Sequence, residues 1–330
     1  MRAIDSAGAL SRAQFSANYF NRQPFVYRGA VKDTRSYSYW TPEYLKSAIG
    51  NKIVNVGHSK TGVYDVSIED RNHIVQIGFD EAMDLFTAGE ETDKAYYLQQ
   101  FSVFKHSPEL VADLDMPSLN TDSDNFSEIN LWIGGAGCVT QLHFDRDHNF
   151  LVQIRGRKEL VLFSPQDTVC LYPHESSKFV HVSQVELDHV DHERFPLFQE
   201  AEGWHCVLEP GDLLYMPPLW WHHVRSLDMS VSVNYWWNRF DVVDGMDLDG
   251  VTVEQLCSKI RTFTDRGFSL EHKDEEGEML FIKAIRKGYV KMVEAFLLLG
   301  IEPDGAAVEA AMESGKPEIA ALLSKKTVNQ

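Results

Sequence analysis

The sequence predicts a mostly β domain with flanking helices, followed by a small all-α segment. Three observations carry that reading. Between residues 95 and 236, short runs rich in Val, Ile, Leu and aromatic residues are cut by Gly- and Pro-bearing turns, as in strands. Within that stretch, His143-Phe144-Asp145 and Trp221-His222-His223 place metal-binding side chains on two segments far apart in the chain. From residue 241 the pattern turns helical, and Gly267 and Gly300 repeat with a spacing of 33 residues (300 − 267).

Taken in order, residues 12–50 form a mixed entry segment. Phe15, Tyr19 and Phe20 have helical spacing, and Pro24-Phe25-Val26-Tyr27-Arg28 reads as a strand. Thr41-Pro42 opens a helix, because Thr caps the first free N–H groups and Pro suits the first helical position. Residues 51–66 alternate as strands, and Ala95 to Gln100 is a further strand. Pro108 and Pro117 break residues 106–128 into a loop with a short helix. Asn130 to Gly134 is expected to begin the metal-bearing sheet. Residues 149–154 and 158–163 are expected to form a hairpin around Arg155-Gly156-Arg157. Residues 164–204 are a long insertion, expected to wall the site. Residues 207–236 return as strands.

The chemistry gathers at three residues. On a strand, positions i and i+2 share a face, so His143 and Asp145 can reach one ion. His222 supplies a third ligand. Two His and one carboxylate, with the remaining positions open, is the donor set of non-haem Fe(II) oxygenases. A structural zinc site would close with four ligands, usually including Cys. His148 and His223 compete as ligands. His148, five residues after His143, falls on the opposite strand face, and one of the adjacent His222 and His223 must face away.

Gly211-Asp212-Leu213-Leu214-Tyr215-Met216-Pro217, a turn and short strand leading to His222, completes a combination that resembles the JmjC and cupin-like 2-oxoglutarate oxygenases. It is most similar to the clade of the asparaginyl hydroxylase that acts on hypoxia-inducible factor, with the JmjC lysyl hydroxylases as near relatives. The resemblance runs from about residue 15 to 240. It implies a double-stranded β-helix (a jelly roll) using Fe(II), 2-oxoglutarate and O2. Many such enzymes anchor the oxo-acid with an Arg about ten residues after the distal His, but Ser230, Val231 and Ser232 stand there. The JmjC alternative is an early Lys, here Lys158, on one strand face with Leu160 and Leu162. The resemblance assigns His222, the first of the adjacent pair, as the ligand, and Thr140, Tyr97, Asn149 and Asn234 to the same pocket. It puts Gln99 and Trp236 on the substrate side. Thr140 lies three residues before His143, which a regular strand would place on the other face. Where the asparaginyl hydroxylase has an Arg-Gln pair before Ser-Gln-Val, this chain has His181-Val182 before Ser183-Gln184-Val185, so the target residue is left open.

Composition bounds the rest. A chain of 330 residues that is 44% hydrophobic can bury a large core and a smaller one. A net charge of −18 argues against a nucleic-acid surface and suits a basic protein partner. Cys138, Cys170, Cys206 and Cys257 form no C-x-x-C pair and read as free buried thiols of a reducing compartment. No apolar run of signal-peptide or membrane-helix length is present, so the expected location is cytoplasmic, or also nuclear in a eukaryote.

The expected organisation is an oxygenase domain over 1–240, a linker and helix over 241–265, and degenerate ankyrin-like repeats over 266–330. Two repeats are too few to bury their own face. Leu280, Ile285, Val293, Leu297 and Leu322 are therefore expected to pack on the barrel or on a second copy, making a homodimer an expected assembly. The function expected is hydroxylation of a protein side chain, of Asn/Asp or Lys type. The alternatives are an RNA-base hydroxylase, a JmjC demethylase, or a non-catalytic cupin-like scaffold acting through its ankyrin-like segment.

Overall fold

The computed structural model describes residues 1–64, 73–88, 94–114, 119, 126–174, 179, 181–237, 252–264, 270 and 279–327. The acidic stretch 241–249 and residues 266–269, expected to open the first repeat, lie outside them. The chain divides into two compact units, Met1–Arg239 and Phe240–Gln330. No helix among the described residues is long and apolar enough to cross a membrane.

The first unit is built on eight strands. In chain order they are Phe126–Gly134, Val139–Phe144, His148–Arg155, Lys158–Phe163, Gly203–Leu208, Leu213–Met216, Trp221–Ser226 and Ser230–Trp237. Counted so, the first, eighth, third and sixth are neighbours in one sheet, and the second, seventh, fourth and fifth in the other. That interleaving is the order of a jelly roll. Short entry strands extend both sheets, to nine strands in the major and six in the minor among the described residues.

Helices cover the outer face of the major sheet. Phe15 of Arg12–Asn18, Leu45 and Ile49 of Pro42–Ile49, and Phe79, Met83 and Phe86 of Phe79–Thr87 pack there with Phe150, Val152, Tyr215 and Trp237. Thr41 caps its helix as expected, its Oγ1 accepting the Tyr44 N–H at 3.2 Å. Between the sheets, Leu151, Leu214 and Met216 meet Leu160, Leu162 and Cys206.

Two expectations about the strands are corrected. Residues 149–154 and 158–163 do not form a hairpin. His148–Arg155 pairs with Leu213–Met216 and Ser230–Trp237, whereas Lys158–Phe163 pairs with Gly203–Leu208 and Trp221–Ser226. The chain crosses from sheet to sheet at Gly156, whose φ of +64° and tight surroundings suit only glycine. A Cβ there would lie 2.1 Å from the Met229 carbonyl oxygen. Gly156→Ala is therefore expected to destabilise the unit by about 2–4 kcal/mol, read as a fall in its thermal midpoint. An unchanged midpoint would mean that the crossing can relax. The second correction concerns Asn130 to Gly134, which lies in the major sheet opposite the strands that carry the metal residues. Alternation alone cannot tell two facing sheets apart.

The insertion 164–204 lies against the minor sheet. It adds a backbone bridge from Val182 to His143, flanked by Phe144 N–H to His181 and Ser183 N–H to Leu142 bonds of 2.9 Å each. Leu187, Phe198 and Ala201 pack on its outer cluster of Leu142, Phe144, Phe163, Leu171 and Trp221.

The second unit contains helices Val253–Thr264, Leu280–Arg286, Val290–Leu298, Gly305–Ser314 and Pro317–Thr327. Leu280–Arg286 packs on Gly305–Ser314, and Val290–Leu298 on both Pro317–Thr327 and Val253–Thr264. The apolar face expected to need a partner is buried inside this bundle. Ile285, Val293 and Leu297 are core residues, and Leu280 and Leu322 pack against that core. Helix Val253–Thr264 supplies the missing cover through Leu256 and Ile260.

Candidate metal centre

The jelly roll makes the second and seventh strands neighbours, and their register sets His222 directly opposite His143. Asp145 follows one residue after the second strand ends at Phe144. Asp145 Oδ1 lies 4.0 Å from His143 Nε2, and Asp145 Oδ2 lies 3.6 Å from His222 Nε2. One ligand atom from each residue falls within 4.8 Å of the others. Both rings are held from behind. His143 Nδ1 sits 2.7 Å from the Gln141 carbonyl oxygen, and His222 Nδ1 sits 3.0 Å from that of Trp220. Each Nδ1 thus carries the proton and donates it, which leaves Nε2 as a lone-pair donor aimed at the shared space. Burial and the neighbouring imidazole of His222 hold His143 well below the usual histidine range, in the neutral form that metal binding needs. The donor set fits a divalent transition metal with open positions.

The space beside these donors is a cavity of about 440 Å³, its open mouth included, between the two sheets. Lys158 lines it and is 2% exposed. No carboxylate among the described residues pairs with it, and its ammonium lies 5.7 Å from the centre of the Tyr97 ring. Loss of hydration pushes it down to about 8. A buried, unpaired ammonium on a cavity wall is the complement of a carboxylate ligand. Arg225 cannot substitute for it. It is outside the minor sheet, paired with Asp188, because Trp221–Ser226 turns alternate residues away.

The other residues chosen from sequence come together around Lys158 with one exception. Tyr97, Thr140, Asn149, Asn234 and Trp236 all line the cavity. Thr140 reaches it because the ladder shifts between His222 and Val224: two residues of one strand span three of the other, from His143 to Thr140. Tyr97 is bonded to the Thr140 side chain and raised by burial, so it stays a neutral phenol. Asn234 accepts the Trp132 indole N–H at 2.7 Å, which leaves its Nδ2 without a partner, and Asn149 Oδ1 has none either. Buried orphan amide atoms at a cavity wall mark places for ligand hydrogen bonds.

Gln99 is the exception. A bulge between Leu98 and Phe101 puts Gln100, at φ +49°, on the cavity wall, and Gln99 is not part of the lining. Sequence reasoning also missed Trp132, Leu151, Met216 and Val224. Alternation along their strands could have found Trp132, which pairs with Ser232 two residues before Asn234. Of the competing ligands, His148 is bonded to the Tyr215 hydroxyl at 2.9 Å and stacked on Phe20. His223 faces the outside of the sheet, in a cleft with Glu159 and His205.

A jelly roll holding two His and one carboxylate beside a buried cation is the arrangement of a metal-dependent oxygenase. Residues 11–242 match the family described as Cupin-like domain, and the chain belongs to that family. It is similar to "Lysine-specific demethylase 8" of Danio rerio, 37% identical over 202 residues, covering 60% of this chain and 48% of that protein. The Xenopus tropicalis protein of the same name is 33% identical over 240 residues, covering 72% and 53%. The chain thus spans about half the length of these two relatives. It is also similar to human "tRNA wybutosine-synthesizing protein 5", 29% identical over 312 residues, 86% of this chain and 96% of that protein.

Proposed function

We propose that the protein is an Fe(II)- and 2-oxoglutarate-dependent oxygenase that hydroxylates a carbon of a lysine-type side chain in a protein substrate. The observation that carries the oxygenase reading is the convergence of His143, Asp145 and His222 on one cavity with the unpaired ammonium of Lys158. A bound iron would supply the oxidising chemistry, in which O2 is reduced by four electrons: one oxygen atom goes into succinate as 2-oxoglutarate loses CO2, and the other into a substrate C–H bond. The chain's own residues do the rest. His143, Asp145 and His222 hold three positions on one side and leave the others open. Lys158 takes the far carboxylate of the oxo-acid, with the Tyr97 hydroxyl and Thr140 beside it as further donors. Asn149 and Asn234 offer amide groups to ligands near the metal. The two sheets wall the cavity on both sides.

The lysine-type target is supported by the demethylase-named relatives, whose matches cover 60% and 72% of this chain. On an N-methyl group the same hydroxylation gives N–CH2OH, whose C–N bond then breaks to release formaldehyde and leave N–H. The net charge of −18 supports it too, since it draws cationic proteins and repels RNA. One observation favours a second reading, a tRNA base as substrate. The match to the human tRNA-modifying relative covers 86% of the chain, more than residues 1–239 can supply, so it continues into the helical unit. That unit, on this reading an ankyrin-type stub, would help to hold the substrate. The test is mass spectrometry after incubation with iron, 2-oxoglutarate and O2, using lysine and methyl-lysine peptides in parallel with bulk tRNA. Gain of one oxygen, or loss of a methyl group, on peptides alone supports the first reading. Oxygen gained on tRNA alone supports the second. Succinate formation in none of the reactions would sink both.

The charge state of Lys158 gives a pH profile. With the pocket empty it loses its proton at about 8, and a bound dianion raises that value. Affinity for 2-oxoglutarate is therefore expected to be flat below pH 8 and to fall above it by about tenfold per pH unit, because binding must then recover the proton. Calorimetry between pH 7 and 10 reads this directly. A flat profile up to pH 10 would remove Lys158 from the anchor.

A further inference from the structure

The turn from Pro217 to His222 serves the metal centre at two points. Asp145 lies just beyond the strand Val139–Phe144, so the ladder does not hold its backbone. Its carbonyl oxygen instead accepts the Leu219 N–H at 2.8 Å. The same turn supplies the Trp220 carbonyl that orients His222. Leu219 makes its bond at φ +65°, in the left-handed region that side chains other than Gly, Asn and Asp rarely enter. What holds it there is its own side chain, which packs against the cluster of Leu142, Phe144, Phe163, Leu171 and Trp221. Strained backbone of this kind persists where the surroundings over-determine it, and such positions gather at functional sites.

We infer that Leu219 is a positioning residue for the metal centre: its left-handed backbone aims an N–H at Asp145 and fixes that carboxylate against the two histidines. The inference rests on the metal-centre reading above. It is tested with Mn(II), a redox-inert stand-in for Fe(II), titrated into the full chain by calorimetry, with the melting temperature of the metal-free protein measured alongside. Two substitutions separate backbone from packing. Leu219→Ile keeps the apolar bulk, but a β-branched residue resists positive φ. Leu219→Asn gives up the apolar packing but tolerates the left-handed region. The expected result is a loss of Mn(II) affinity of about tenfold or more in Leu219→Ile, the scale of an outer-shell contact. Leu219→Asn is expected to stay within about threefold even where its melting temperature falls, since the N–H still points at Asp145. Should Leu219→Ile not fold, replacing the Leu219 amide by an ester removes the N–H alone and is expected to cost the same tenfold or so. Full affinity in Leu219→Ile or in the ester, or lost affinity in Leu219→Asn, would overturn the inference. A wild-type chain that takes up no Mn(II) would instead overturn the metal-centre reading, leaving the two failures distinct.

Discussion

Asp145→Ala leaves a folded chain that no longer holds iron. Asp145 is 24% exposed at its side chain, lies beyond the end of its strand and belongs to none of the apolar clusters of its unit, so its removal costs little stability. Its loss for the metal is large. Asp145 is the one carboxylate among the three candidate ligands, and its removal leaves two imidazoles that bring no negative charge to the metal. Removing an outer-shell partner already weakens metal sites 10–100-fold, so removing the carboxylate itself should exceed about 100-fold. Elemental analysis and Mn(II) calorimetry read the binding, and the succinate assay reads the consequence. Asp145→Ala protein with full metal occupancy would show that the ion sits elsewhere and would end the assignment of all three ligands. The melting temperature of the metal-free variant should stay near that of the wild type, which separates lost binding from lost folding.

Lys158→Met moves stability and binding in opposite directions. In the empty protein the ammonium is buried without a counter-charge, and its pKa is pushed down to about 8 from the ordinary lysine value of 10.5. A lowered folded-state value means that the unfolded chain binds the proton more tightly. The resulting penalty is therefore fully present below pH 8 and fades as pH rises toward 10.5. Methionine fills similar volume with no charge, so at pH 7 the metal-free variant is expected to gain up to ~3 kcal/mol and melt higher. The same change strands the far carboxylate of 2-oxoglutarate in a low-dielectric wall. Leaving a buried charge unpaired costs about 3 kcal/mol or more, hence a loss of 2-oxoglutarate affinity of at least ~100-fold. Mn(II) binding should persist, because Lys158 is not among the metal donors. The combination of a higher melting temperature, retained metal and lost oxo-acid binding is specific to a functional cation held against stability. A variant that binds 2-oxoglutarate normally would show that the carboxylate is held by neutral donors, with Tyr97 and Thr140 the first to test.

Sequence by itself picked out the candidate donors and most of the side chains that line the cavity. His143, Asp145 and His222 could be picked out because metal chemistry restricts residue types, and a period of two restricts faces. Lys158 was visible for a similar reason: a lysine on one strand face with Leu160 and Leu162 is costly unless it meets an anion. Local rules also placed the Thr41 cap and the glycine at 156. Tertiary structure decided what these rules do not reach. Whether a glycine turn closes a hairpin or passes the chain to a facing sheet depends on which strands pair, and strand pairing is a non-local choice. Bulges decided two side-chain directions, bringing Thr140 into the pocket and setting Gln100 there in place of Gln99. One extra residue reverses the alternation on which the sequence reading depends, and no residue type announces it. The helical unit shows the same limit. Its apolar stripe was legible, but only packing revealed that helix Val253–Thr264 covers it from within, because burial belongs to the partners a face finds as well as to the face itself.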